Sequence, residues 1–216
     1  MPIERQRLPK IQFITHADEH YTTGESALLA LSCGIRWIQF RLKHAHEEEC
    51  RQEALRVQEL CRAYKALFVI DDHVELAKSL KADGVHLGKN DMPIREARKI
   101  LGPDFLIGGT ANNWEDMLEI KAAGGDYIGL GPYRFTTTKE NLSPILGLEG
   151  YRQRMQKARE HHLELPVYAI GGILPEDCPD LMSCGVHGIA ISSALLKAED
   201  PQATAKAFSE KLLHSI

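Results

Sequence analysis

No apolar run in this 216-residue sequence approaches the length needed to cross a bilayer. The first ten residues, MPIERQRLPK, carry charges and prolines but no apolar h-region. A cytoplasmic protein with no membrane partner is therefore expected. Basic residues are not in excess: 26 Lys and Arg against 30 Asp and Glu leave a net charge of −4. With no basic face standing out, nucleic acid is not expected as a main partner. Phosphorylated small molecules remain compatible, because they need only a local cluster of cations. The cysteines (Cys33, Cys50, Cys61, Cys178 and Cys184) are odd in number and lack CxxC spacing. They read as reduced, mostly packed thiols in a reducing compartment. No GxGxxG opens a helix; Gly129-Leu130-Gly131 runs into Pro132 instead, which argues against a doubly wound dinucleotide fold. Linkers, low-complexity tracts and short repeats are missing too.

What is present is regular alternation. Apolar runs expected to form strands fall at 11–15, 37–43, 67–70, 85–87, 105–110, 127–131, 167–170 and 188–191. Helical spacing follows each of them, at 24–33, 47–65, 74–80, 94–101, 114–123, 147–162, 175–183 and 201–213. Eight strand–helix units without a composition break predict an α/β fold. The expected architecture is a single (β/α)8 TIM barrel over residues 1–216. The stretch 132–144 is long for a loop in this chain and is a functional candidate.

The polar residues gather at the ends of the expected strands, where such barrels carry their sites. In the second strand, Trp37, Gln39, Arg41 and Lys43 share one face, and Ile38, Phe40 and Leu42 share the other. The apolar face should meet the helices, sending Gln39, Arg41 and Lys43 toward the barrel axis or its mouth. Cations there call for an anion. The third and fourth strands end in Asp71-Asp72 and near Asp91. Neighbouring parallel strands end on the same side of a sheet, which brings Asp72 and Asp91 together although 19 residues separate them. Two bare carboxylates about 4 Å apart repel by roughly 4 kcal/mol at an effective dielectric near 20, so they hold a cation or share a proton. Oxygen ligands at a wet edge suit Mg²⁺. Both residues could equally be loop acids or helix N-caps.

A first anion site would combine Arg41, Lys43 and Lys139 with that metal. A second would combine Gly171-Gly172 after the seventh strand with Ser192-Ser193 after the eighth, where barrels often bind phosphate on backbone amides. Thr136, Thr137 and Thr138 could donate hydroxyls to either. Nothing at the strand ends resembles a nucleophile paired with a base. His16, His20, His44 and His46 lack a ligand partner at zinc spacing, and His86, in mid-strand, reads as a hydrogen-bonded interior residue.

Taken together, several stretches resemble thiamine phosphate synthase over nearly the full length. These are Gln39-Phe40-Arg41-Leu42-Lys43, 71–77 (DDHVELA), 84–88 (GVHLG) with Asp91, Gly129-Leu130-Gly131-Pro132, Thr136-Thr137-Thr138-Lys139, Ile170-Gly171-Gly172-Ile173 and Ser192-Ser193. The resemblance implies joining a pyrimidine diphosphate to a thiazole phosphate with release of diphosphate, so that two phosphorylated small molecules are the partners. It implies Gln39, Phe40, Arg41, Leu42, Lys43, Asp71, Thr110 and Lys139 at the pyrimidine diphosphate, with Lys139, Arg41 and Lys43 in catalytic roles. It implies Thr136, Thr137, Thr138, Gly172, Ser192 and Ser193 at the thiazole phosphate, and Mg²⁺ at Asp72 and Asp91. Three residues depart from the pattern: Asp71 stands where Asn is usual, Lys89 where Gln is frequent, and Thr110 where Ser is usual. Asp71 and Lys89 are expected to compensate each other electrically, as a pair across the mouth. The alternatives are an enzyme of the thiazole tautomerase type and a non-catalytic phosphate-binding barrel. Oligomeric state is left open, a homo-oligomer included.

Overall fold

Short Ile-, Val- and Phe-rich runs make strands because β-branched and aromatic side chains suit a pleated surface packed on both faces. The computed structural model describes residues 8–135 and 144–213. Its strands are β1 (Ile11–Ile14), β2 (Trp37–Phe40), β3 (Leu67–Asp71), β4 (Gly84–Leu87), β5 (Leu106–Ala111), β6 (Tyr127–Leu130), β7 (Val167–Ile170) and β8 (Gly188–Ile191). All pair in parallel with their sequence neighbours, and β8 pairs back onto β1, so the sheet is a closed barrel. Around it lie α1 (Thr23–Ser32), α2 (Glu47–Ala63), α3 (Val74–Leu80), α4 (Ile94–Leu101), α5 (Trp114–Ala122), α6 (Gly147–Glu160), α7 (Cys178–Cys184), α8 (Ser193–Leu196) and α9 (Pro201–Leu213). Among the described residues no helix is long and apolar enough to cross a membrane.

Capping chemistry fixes several helix starts. Thr22 accepts from the Glu25 N–H while the Glu25 carboxylate accepts from the Thr22 N–H, and Asn113 and Asp116 do the same for α5. Such reciprocal caps satisfy amides that the first turn leaves open. Three expected elements differ. The second strand stops at Phe40, because the Arg41 N–H donates to the Thr15 hydroxyl at 2.8 Å and that hydroxyl donates back to the Arg41 carbonyl at 3.1 Å. The helix expected from Pro175 opens as a 3₁₀ turn (Pro175–Asp177) before α7. The short α8 follows β8 directly, where the sequence reading has a loop.

Side chains of the strands sort by period two. Ile38, Phe40, Ile70, Val85, Ile107, Ile128 and Ile189 point outward into the core shared with the helices. Inside the barrel, Trp37, Val69, Leu106, Tyr127 and Tyr168 pack with Leu8. Trp37 meets Tyr127 and Tyr168 edge-on, with centroids 4.9 and 5.0 Å apart. The chain before β1 closes this end. Leu8 is buried there, Tyr168 Oη donates to the Pro9 carbonyl at 2.8 Å, and His187 Nε2 lies 2.9 Å from the Leu8 carbonyl. Gly108 makes the layer possible, since a Cβ there would stand 2.1 Å from Cζ of Tyr127. With one end filled by hydrocarbon, polar chemistry is confined to the other.

Candidate active site

Above the aromatic layer the interior turns polar. Gln39, on the inward face of β2, donates from Nε2 to Asp71 Oδ1 at 2.6 Å. Arg41 and Lys43 lie beyond the strand end, yet keep the inward side that alternation predicts. Arg41 Nε is 3.5 Å from Asp71 Oδ2, and the Lys43 ammonium sits on Asp72 and 3.9 Å from Asp71 Oδ2. Asp72 takes a left-handed backbone, φ 64°, at the turn from β3 into α3. Asp tolerates this region better than most residues, and the strain costs about 1–3 kcal/mol. The turn is pinned by the Asp72 N–H, which donates to the His86 carbonyl at 2.9 Å. Asp91 is aimed by its own loop, with the Gly88 N–H donating to its Oδ2 at 2.7 Å.

These turns bring the two acids together, as parallel pairing of β3 with β4 requires. Asp72 and Asp91 lie close enough that each carboxyl shifts the titration of the other. Burial and the neighbouring Asp72 raise the Asp91 carboxyl above its ordinary value. Burial works against the Asp72 carboxylate, but its hydrogen bonds with Asp91 and Lys43 outweigh that and hold it low. Lys43 likewise gains from Asp72 and Asp71 more than burial takes away, so its ammonium is held charged. Asp71 is raised, first by burial and then by Asp72, with Lys43, Arg41 and Gln39 opposing. The cluster therefore has more acidic groups (Asp71, Asp72 and Asp91) than basic ones (Arg41 and Lys43).

Among the remaining residues expected at this site, Phe40 and Leu42 face the other way. Phe40 is buried 6.3 Å from the Phe68 ring, and Leu42 packs on the same outer core. Thr110, at the end of β5, is half-buried with its hydroxyl 3.0 Å from His86 Nε2. Gly171 and Gly172 follow β7 with φ of 96° and 67°. The Ser192 hydroxyl is buried without a hydrogen-bond partner among the described residues, and Ser193 begins α8. Thr136, Thr137, Thr138 and Lys139 lie outside the described residues.

One expected contact is corrected. Lys89 does not compensate Asp71; its ammonium is 2.5 Å from Asp116 Oδ2 at the start of α5. The loop after β4 leans toward α5, while Asp71 is served by Arg41 and Lys43 from β2's side. The structure also adds residues that sequence reading did not single out. Arg134 forks onto Asp177 at 2.6 and 2.8 Å and donates to the Gly172 carbonyl at 2.7 Å. It braces the glycine turn from a distance of 38 residues in sequence, which no local pattern reveals. Gln12, a lone amide within the apolar run of β1, is a further local signal of an interior polar layer beside Gln39 and His86.

A closed parallel barrel with ionised side chains crowded past the ends of β2, β3 and β4 defines a barrel enzyme site of the kind that handles charged small molecules. Residues 11–195 match the thiamine monophosphate synthase family, and the chain belongs to that family of transferases. It is 56% identical over 193 residues to a thiamine-phosphate synthase of Bacteroides thetaiotaomicron, covering 89% of this chain and 92% of that protein. It is 44% identical over 207 residues to one of Flavobacterium johnsoniae, covering 96% and 98%. A solved structure of a thiamine phosphate pyrophosphorylase from Pyrococcus furiosus superposes with a TM-score of 0.82 at 34% identity, covering 96% of each chain.

Proposed function

We propose that this protein condenses 4-amino-2-methyl-5-(diphosphooxymethyl)pyrimidine with 4-methyl-5-(2-phosphooxyethyl)thiazole, giving thiamine phosphate and diphosphate. The observation that carries the reading is the meeting of Asp72 and Asp91 beside Lys43, Arg41 and Asp71 at one barrel end, in a chain of this family. Their donor set is all oxygen and, with Asp71, outnumbers the two cations beside it, which fits Mg²⁺. Among the described residues no group of three His, Cys, Asp or Glu side chains could hold a metal ion, so water and substrate oxygens would complete the shell. Bound there, Mg²⁺ would neutralise charge on the departing diphosphate.

The protein groups do the rest. Arg41 and Lys43, with Lys139, gather the diphosphate oxygens. They stabilise charge that grows as the carbon–oxygen bond breaks. The amino-substituted pyrimidine ring carries the resulting benzylic-type cation. Gly172, Ser192 and Ser193, with Thr136, Thr137 and Thr138, hold the thiazole phosphate so that the ring nitrogen faces that carbon. Attack by the nitrogen completes the bond. A protein nucleophile is not required, because both reacting atoms belong to the substrates and holding them together supplies much of the rate.

The test is diphosphate release from the purified protein with both substrates, with and without Mg²⁺. Release that needs both substrates and the ion is expected. Turnover of the thiazole phosphate alone would assign the protein to tautomerase chemistry. Binding of either compound without turnover would make it a non-catalytic barrel.

A further inference from the structure

A chain of hydrogen bonds runs up the inside of the barrel from the aromatic layer to the mouth. Gln12 Nε2 lies 3.4 Å from Tyr127 Oη, Tyr127 Oη lies 3.2 Å from His86 Nδ1, and His86 Nε2 lies 3.0 Å from Thr110 Oγ1. Gln12, His86 and Tyr127 are all buried. The room for it is built into the backbone. A Cβ on Gly108 would collide with the Tyr127 ring, and one on Gly129 would stand 3.1 Å from His86 Cε1. Four strands therefore contribute to one column, and two glycines keep its space open.

The donors and acceptors give the column a direction. An amide nitrogen only donates, so Gln12 makes the Tyr127 oxygen an acceptor. Burial keeps the Tyr127 phenol protonated, leaving it one hydrogen to give. The partner within reach of that hydrogen is His86 Nδ1. A neutral imidazole that accepts at Nδ1 donates at Nε2. Thr110 Oγ1 then accepts from His86, and its own hydrogen is free to turn outward. Thr110 is the first member of the column that is not buried.

We propose that His86 is a positioning residue which, held by Tyr127 and Gln12, commits the Thr110 hydroxyl to donate into the mouth, to an acceptor atom of the diphosphate-bearing substrate. This rests on the transferase reading above. Without the column a threonine hydroxyl donates or accepts with equal ease; with it, the site presents a fixed donor before substrate arrives, which is what preorganisation requires.

The tautomer is measurable in the protein without substrate. In protein labelled with nitrogen-15 histidine, the His86 ring is expected to carry its proton on Nε2. A ring protonated on Nδ1, or an even mixture, overturns the proposal. Tyr127→Phe keeps the packed ring but removes the hydrogen given to Nδ1. That variant should show a mixed His86 tautomer. Its kcat/KM for the diphosphate substrate should fall about tenfold, the size of one misaligned hydrogen bond, with the KM for the thiazole phosphate unchanged. An unaltered tautomer in Tyr127→Phe sinks the role given to Tyr127. Thr110→Val should leave the Nε2–H form in place; a scrambled ring in that variant shows that Thr110 sets the tautomer and also overturns the proposal. If the wild-type protein releases no diphosphate, the functional reading falls, and the ring measurement still decides the column.

Discussion

Asp72 combines a left-handed backbone, an ion pair to Lys43 and close approach to Asp91. Removing one charge there disturbs the ion pair and the contact with Asp91 at once, while Asn accepts the left-handed backbone as readily. Asp72→Asn is expected to lower kcat/KM by about 100-fold or more, in the range seen when a transition-state charge partner is lost. It should also raise the Mg²⁺ concentration for half-maximal activity, so a Mg²⁺ titration of diphosphate release separates it from simple unfolding. The cysteines make a contrasting residue-scale case. Burial pushes the Cys61 and Cys178 thiols up to about 12, so almost no thiolate exists near neutral pH. Only Cys33 is partly exposed. Iodoacetamide under native conditions should label Cys33 first and reach Cys61 and Cys178 only after denaturation, as peptide mass mapping would show. The acid pair was readable from sequence because βαβ geometry alone puts successive strand ends side by side. The Lys89–Asp116 pair was not, because which way a loop leans depends on the helix it meets.

Elements here are held by side chains that tie one loop to the next. Arg98 of α4 donates to the carbonyls of Gly102, Phe105 and Gly124 and pairs with Asp126 Oδ2 at 2.5 Å. Asp126 is buried, and the same oxygen accepts from the Ile107 N–H at 2.7 Å. One guanidinium thus joins the ends of α4 and α5 to the starts of β5 and β6. Arg98→Leu would remove the guanidinium that pairs with Asp126, and a loss of about 3 kcal/mol is expected, the low end for breaking a buried ion pair. Urea unfolding followed by circular dichroism measures it; a shift under 1 kcal/mol would show the brace to be idle. Helix and strand order were legible because apolar spacing switches cleanly between periods of 3.6 and 2. The end of β2 was not, since alternation continues through Arg41 and Lys43 while the Thr15 hydroxyl takes over the backbone of Arg41.

For the whole molecule, the closing contact lies between the chain before β1 and the strand end that completes the barrel. His187 accompanies it, with Nε2 against the Leu8 carbonyl and its ring 5.3 Å from Tyr168. Burial, with a smaller push from Lys10, lowers its pKa although the Leu8 carbonyl opposes. A base with a folded pKa below its unfolded value contributes stability that is full above the unfolded value and lost as pH falls through the folded one. The melting temperature should therefore decline as pH drops below about 6.5, the ordinary histidine value. His187→Gln should show a shallower decline, and an identical slope in both proteins would rule His187 out as the cause. Barrel closure itself was legible from eight strand–helix units; its stopper was not, because Leu8 sits in a charged, proline-containing stretch with no strand pattern.

The aromatic layer of Trp37, Tyr127 and Tyr168 has one more effect. It closes one end of the barrel, so small molecules approach the polar cluster from the opposite end, the doorway. Whatever is made at the doorway's edge must clear out along the path by which the next reactants come in.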